Sequence, residues 1–229
     1  MKIAIIPARG GSKRIKNKNI INFYGKPLIA HTIKNLIESK LFDLVIVSTD
    51  SVKIQKIAIK AGAKIFFKRP KNLSNDFVGT FDVINHSINY LINKGMNPKY
   101  VCCVYPTSIM IKPKDINNSF VKIKSKKWNF VFSITDFGHP PQRGFGLKNN
   151  CISILDKNFF AKRTQDIQKI YHDAGQFYWG KTQSWLKNKS LFTKKSFGYV
   201  LPRYSAIDID DIEDLNALKK IFYFTRKLK

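Results

Sequence analysis

The run of apolar residues at positions 3–6, Ile3-Ala4-Ile5-Ile6, is short and continuous, and it reads as a buried strand over 3–8. Residues 9–22 are polar, basic and glycine-containing, so they read as a loop. A helix is expected over 27–40, a strand over 44–48, a helix over 51–61 closed by Gly62, and a strand over 64–67 that ends at Arg69-Pro70. Over 80–93 the apolar residues fall at Val83, Ile84, Ile88, Leu91 and Ile92, which is helical spacing. A strand over 100–105, a helix over 115–124 and a strand over 129–135 follow. Strand and helix alternate throughout, and this order predicts an α/β fold with a mostly parallel sheet and helices on both faces.

The rhythm changes after Asp136. Gly138, Pro140, Pro141, Gly144, Gly146 and the pair Asn149-Asn150 mark turns around two strand-like runs, 145–148 and 151–155, which predict an inserted β-hairpin arm. Further strands are expected over 176–179 and 197–201. An amphipathic helix over 212–226, capped by Asp210 or Asp211, closes the chain. With no repeats or low-complexity linkers, 1–229 reads as one domain carrying an insertion at about 137–180.

Composition adds limits. A chain of 229 residues that is 44% hydrophobic can bury a substantial core. Pro7 and Arg9 interrupt the first apolar run before it could serve an export signal, and no run approaches the roughly 20 residues of a membrane span. Cys102 and Cys103 are adjacent in an expected strand, so they point to opposite faces; neither their spacing nor Cys151 suits zinc or a disulfide framework, and a reducing cytoplasm is expected. The net charge of +26 would attract nucleic acid, an anionic membrane or small acidic substrates. The lysines are spread through nearly every segment together with Asn, Ile and Phe, which is a compositional bias and selects no partner by itself. The acids are less even: Asp208, Asp210, Asp211, Glu213 and Asp214 are five of fifteen.

In an open α/β sheet, ligands sit beyond the carboxyl ends of the strands, where the loop over 9–19 falls. Gly10 and Gly11 allow backbone N–H groups close to an oxyanion, Ser12 adds a donor, and Arg9, Lys13 and Lys18 can neutralise a triphosphate. The spacing is neither that of a Walker loop nor that of a dinucleotide fingerprint. The string Ile6-Pro-Ala-Arg-Gly-Gly-Ser-Lys-Arg14 with Lys18-Asn19-Ile20 resembles the nucleotide-binding loop of the CMP-sialic acid synthetase family. The resemblance continues through Val47-Ser-Thr-Asp50, Arg69-Pro70 with Leu73 and Asp76, Tyr105-Pro-Thr-Ser108 and Ile207-Asp-Ile-Asp210, in order and over almost the whole chain. It implies a Rossmann-like nucleotidyltransferase fold and CTP as co-substrate. It also implies that Arg9, Ser12, Lys13 and Lys18 hold the triphosphate and that Asn19 and Arg69 contact the nucleoside. Ala8, Gly10, Gly11, Asp76 and Thr80 complete the nucleotide set. Arg9, Lys13 and Lys18, with Asp208 and Asp210, form the catalytic set.

Asp208 and Asp210 alternate with Ile207 and Ile209, so in an extended segment both carboxylates share a side and can hold one hard cation. The resemblance makes that cation Mg²⁺. The other three acids suit the start of the last helix. Tyr171-His-Asp-Ala-Gly-Gln-Phe-Tyr-Trp179, with Pro141-Gln-Arg143 upstream, is similar to the branch that activates pseudaminic acid. It implies an acceptor site drawn from Tyr105, Thr107, Ser108, Gln142, Arg143, His172, Asp173, Gln176 and Tyr178. Where the sialic acid branch has Gln-Pro-Thr-Ser-Pro-Leu-Arg, this chain has Tyr105-Pro-Thr-Ser-Ile-Met-Ile111. That departure weighs against sialic acid and makes Arg143 the candidate partner for the acceptor carboxylate.

The implied reaction is attack by the anomeric hydroxyl of an acidic nine-carbon sugar on the α-phosphorus of CTP, releasing pyrophosphate. By resemblance the enzyme is a cytoplasmic homodimer built through the hairpin, it has no nucleic-acid or membrane partner, and flagellin or cell-surface glycosylation consumes its product. Sialic and legionaminic acid are the alternative acceptors. A nucleotide-sugar glycosyltransferase using Asp208-Ile-Asp210 and a basic nucleic-acid-binding module are the rival readings.

Overall fold

The structure is a computed structural model that describes residues 1–125, 127–187 and 190–227. Its strands and helices run in the order β1 (Lys2–Pro7), β2 (Asn22–Phe23), β3 (Lys26–Pro27), α1 (Leu28–Glu38), β4 (Leu44–Ser48), α2 (Val52–Lys60), α3 (Thr80–Asn93), β5 (Tyr100–Val104), α4 (Pro113–Lys124), β6 (Phe130–Asp136), β7 (Phe145–Lys148), β8 (Cys151–Ile154), β9 (Tyr171–Lys181), α5 (Thr182–Lys187), β10 (Ser196–Val200) and α6 (Ile212–Lys227). A six-stranded sheet has the order β10-β6-β9-β5-β1-β4. β1 is parallel to both β4 and β5, and β10 is parallel to β6, while β9 runs antiparallel between β5 and β6. This is the expected α/β fold with a mostly parallel sheet, and the antiparallel β9 within it was not expected.

Alternation along the central strands sorts the core into two layers. Ala4, Ile6 and Cys102 pack with Ile29 and Ile33 of α1, Ala58 of α2 and Ile116 of α4. Ile3, Ile5 and Cys103 pack on the other face with Ile84 and Ile88 of α3 and Trp185 of α5. The two cysteines therefore do face opposite ways. Both are fully buried, which pushes their thiols well above the usual range. Each fully buried isoleucine contributes roughly 1.5–3 kcal/mol.

A third cluster positions the chemistry. Leu215, Leu218 and Phe222 of α6 pack on Ile15, Phe23, Leu28 and Ile209, and the Tyr24 hydroxyl donates to Lys219 O at 3.0 Å. The closing helix thus lies beside the first loop, and the acidic segment before it is delivered there.

Two expectations change, and two elements were not expected. The strand expected over 64–67 reduces to an isolated parallel bridge, Ile46 to Lys64. The strand expected over 176–179 is the longer β9. The small hairpin β2–β3, turned by Tyr24 (φ 47) and Gly25 (φ 80), and the helix α5 carried too little pattern to be read. The β7–β8 hairpin forms as expected, with Asn149 and Asn150 at φ 50 and 62, the left-handed pair of a type I′ turn.

Candidate active site

The first loop is fixed at both ends. Ala8 N donates to Ser48 O at 2.9 Å, extending the ladder between β1 and β4, and Gly10 N donates to Asp50 Oδ1 at 2.9 Å. Ala8 is therefore buried behind the loop, and the Gly10 N–H expected to face phosphate is already committed. A side chain at Gly10 would bring its Cβ within 3.0 Å of Ser51 Cβ, so glycine is needed there for close approach, while Gly11 has open space around it. Asn19 is buried and donates to Arg9 O at 3.0 Å. Lys18 Nζ donates to Ile209 O at 2.5 Å, which ties the loop to the acidic segment.

A cavity of about 420 Å³ opens at this junction. Arg9, Ser12, Lys13, Lys18 and Asn19 line it from the loop, joined by Arg69, Asp76 and Thr80, by Tyr105 and Thr107 beyond β5, and by Asp208 and Asp210. Arg69 is 4% exposed. Its Nε donates to Ser48 Oγ at 3.2 Å and its Nη2 to Ser48 O. Burial, with nearby Arg9 adding to it and Asp50 opposing, lowers its pKa to about 10, so it remains a cation at neutral pH. Asp76 bridges Arg9 and Lys13, at 2.5 Å to each. Hydrogen bonds from Lys13 and Arg9 hold its carboxyl below the usual range. Nothing singles out Arg14 within a basic loop by residue type alone, yet its Nη2 pairs with Asp210 Oδ1 at 2.6 Å and it lines the same cavity.

The acidic segment divides as the alternation predicts. Ile209 is in the core, Ile207 packs beside it, and Asp208 and Asp210 both face the cavity. Asp208 Oδ1 accepts from Ile209 N at 2.8 Å. The carboxyl is reached from the cavity but crowded by protein, and this desolvation raises its pKa; Lys18 opposes the rise and Asp210 adds to it. Asp211 and Asp214 instead cap α6. Asp211 Oδ1 accepts from Glu213 N and Asp214 N at 2.8 and 3.0 Å, and Asp214 Oδ2 accepts from Asp210 N and Asp211 N at 2.8 and 3.1 Å. Among the described residues no three His, Cys, Asp or Glu side chains group to hold a metal. Two carboxylates beside a cation-rich loop do fit a hard divalent ion whose remaining ligands are phosphate oxygens and water.

Tyr105 and Asp208 also line a second cavity of about 490 Å³, with His172, Asp173, Gly175 and Tyr178. Tyr105 Oη lies 3.0 Å from Thr80 Oγ1, and its ring stands 5.4 Å from that of Tyr178. Burial pushes the Tyr105 phenol up to about 12 and Tyr178 further still, so both remain neutral donors. His172 Nδ1 is 2.9 Å from Asp173 O, and its ring packs on Phe137. Two expected acceptor residues serve as braces instead. The buried Gln176 donates to Ala174 O at 2.9 Å and Ile207 O at 3.3 Å, and the buried Ser108 donates to Gln176 O at 2.8 Å.

Gln142 and Arg143 lie apart from both cavities. Arg143 donates to Phe159 O at 3.2 Å, to Thr164 Oγ1 at 3.3 Å and to Lys162 O, so its guanidinium is consumed in pinning the segment after the hairpin. Gln142 donates to Gln168 O at 2.8 Å and faces a separate cavity of about 230 Å³. Among the described residues no lysine or arginine lines the second cavity, so the expected contact of Arg143 with an acceptor carboxylate is not formed by its placement here.

The cytidylyltransferase family model matches residues 3–228. The chain is 41% identical over 221 residues to a pseudaminic acid cytidylyltransferase of Campylobacter jejuni subsp. jejuni, covering 96% of this chain and 95% of that one. It is 32% identical over 214 residues to an N-acylneuraminate cytidylyltransferase of Escherichia coli, covering 93% of this chain and 50% of that protein. In structure it is similar to CMP:2-keto-3-deoxy-manno-octonic acid synthetase complexed with CTP, with a TM-score of 0.70 at 14% identity, covering 98% of this chain and 99% of the other. That last likeness concerns the fold.

Proposed function

This chain belongs to the cytidylyltransferase family, and from that membership we propose that it transfers CMP from CTP to the anomeric hydroxyl of a nonulosonic acid, pseudaminic acid first among them, releasing pyrophosphate. The observation that carries the reading is the junction of the two cavities at Tyr105 and Asp208: a cation-rich chamber suited to a triphosphate opens beside a neutral-to-acidic one with hydroxyl and carboxylate groups for a polyol.

In-line transfer of a nucleotidyl group depends on positioning and charge neutralisation above all. Arg9, Lys13 and Lys18 offset charge that grows on the departing pyrophosphate. Arg69 and Asn19, both buried and hydrogen-bonded, form a rigid floor for the nucleoside. Tyr105, Tyr178 and Asp173 orient the acceptor hydroxyls beside Asp208. Asp208 and Asp210 would hold Mg²⁺, which when bound polarises the phosphate under attack. The exposed apolar residues of the β7–β8 hairpin support a homodimer, in which the hairpin of the partner adds surface to the acceptor site. A cytoplasmic enzyme that feeds flagellin or cell-surface glycosylation completes the proposal.

The test is pyrophosphate release with CTP and Mg²⁺, with pseudaminic, sialic and legionaminic acid offered in parallel against a blank without sugar. Release with pseudaminic acid alone is expected. Release with another acid would move the substrate assignment, and silence with all of them would sink the reading.

A further inference from the structure

Asp76 occupies the cations that a polyphosphate would need. Its two oxygens bridge Arg9 Nη1 and Lys13 Nζ at 2.5 Å each, so one carboxylate stands where an oxyanion would sit between a guanidinium and an ammonium. The side chains involved are partly to largely exposed, and exposed pairs of this kind are weak enough to exchange for a better anion. The carboxyl is held below the usual range, first by Lys13 and then by Arg9, so it is ionised throughout the neutral range.

The segment that carries it is built to let go. After the turn Lys71–Leu73, Asn75 Oδ1 accepts from Phe77 N and Val78 N at 2.9 and 3.1 Å, which closes the tip on itself without help from the core. Phe77, next to Asp76, is 97% exposed and gives the tip no apolar anchor. The two ion pairs tie this tip to the loop that lines the cavity.

We propose that Asp76 is an internal competitor for the pyrophosphate half of the nucleotide. It pairs with Arg9 and Lys13 in the empty site, yields them to the β- and γ-phosphates of the incoming nucleotide, and takes them back as pyrophosphate leaves. The identity of the leaving anion rests on the cytidylyl-transfer reading; the competition of a carboxylate with a polyphosphate does not. A ligand that must open the clamp pays for breaking both pairs, whereas one that stops at the α-phosphate position does not. Asp76 is in this sense a specificity-determining residue that weakens binding of polyphosphate alone.

The experiment is calorimetric titration of inorganic pyrophosphate and, separately, of CMP, each with Mg²⁺, into wild type, Asp76→Asn and Asp76→Ser. Melting temperatures are taken in parallel. Both variants are expected to bind pyrophosphate about three- to tenfold more tightly, with CMP unchanged and the gain shrinking as salt is added. Pyrophosphate binding that is unchanged or weaker in folded variants would overturn the proposal, and so would an equal gain for CMP, which would mark a general charge effect. If no acid sugar releases pyrophosphate from CTP, the functional reading fails, while the split between pyrophosphate and CMP still decides the competition.

Discussion

The Tyr178 hydroxyl donates to Asp173 Oδ2 across 2.8 Å, although the two residues lie five apart on one strand. An odd separation on a regular strand sends side chains to opposite faces. The contact exists because β9 is irregular: Phe132 pairs with Tyr178 and Ile134 with Asp173, so two steps along β6 correspond to five along β9. Gly175 sits inside that bulge at φ 61, and its N–H donates to Asp173 Oδ1 at 2.9 Å.

Removing the hydroxyl with Tyr178→Phe should therefore raise the KM for the acid sugar about tenfold and leave the KM for CTP unchanged, since the bond lies on the acceptor side. Gly175→Ala should share the kinetic phenotype and also cost roughly 1 kcal/mol of stability, because a Cβ is strained at that φ. Its methyl would lie 3.8 Å from Asp208 Oδ2, an ordinary contact, so strain and not collision is the cause. Initial rates on both substrates and a urea melt check this; a rise confined to the KM for CTP would contradict it.

Asp208→Asn should lower turnover by about a hundredfold or more without lowering the melting temperature. The carboxyl is desolvated and sits near Asp210, so its charge is held against both burial and a like neighbour. Its hydrogen bond with Ile209 N can be kept by an asparagine oxygen. Asp210→Asn should also lose activity, and the loss of its half-exposed pair with Arg14 should scarcely change stability. Thermal melts beside rate measurements test both; a variant that unfolds in proportion to its lost activity would refute the separation of roles.

The loop over 9–19 and the pair Asp208 and Asp210 were legible because their chemistry is written in adjacent residues of contrasting type. The sheet was legible where apolar runs were continuous, as in β1, β4 and β5. The orientation of β9 was not, because alternation carries no sign of strand direction and Gly175 interrupts the alternation itself. Arg143 misled for a related reason. A guanidinium near an acceptor motif can be engaged by any oxygen the fold brings to it, and here the carbonyls of Phe159 and Lys162 and the hydroxyl of Thr164 do so.

Arg69 couples stability to nucleotide binding. Arg69→Ala should destabilise the fold by about 2–4 kcal/mol, since it removes a buried cation bonded to both the hydroxyl and the carbonyl of the fully buried Ser48. It should also raise the KM for CTP. Arg69→Lys should recover part of the stability but not the affinity, because an ammonium cannot reproduce the fork. Denaturant melts and CTP kinetics on the two variants give the comparison, and an Ala variant as stable as wild type would disprove it.

The hairpin β7–β8 places Phe145 opposite Ile154 and Leu147 opposite Ile152, so one face is wholly apolar, while Gly146, Lys148, Cys151 and Ser153 form the other. Leu147 is 72% and Ile152 67% exposed. A two-stranded ribbon is marginal in water by itself, and an exposed apolar face of this kind calls for a cover. If a second copy supplies it, the double variant Leu147→Glu with Ile152→Glu should elute as a monomer where the wild type elutes as a dimer, with an unchanged far-UV spectrum because the main sheet is untouched. Its acceptor KM should rise, since the cavity that lacks a cation of its own loses whatever the partner contributed. A wild type that is monomeric at micromolar concentration would remove the dimer from the proposal and leave the two cavities of one chain as the complete site.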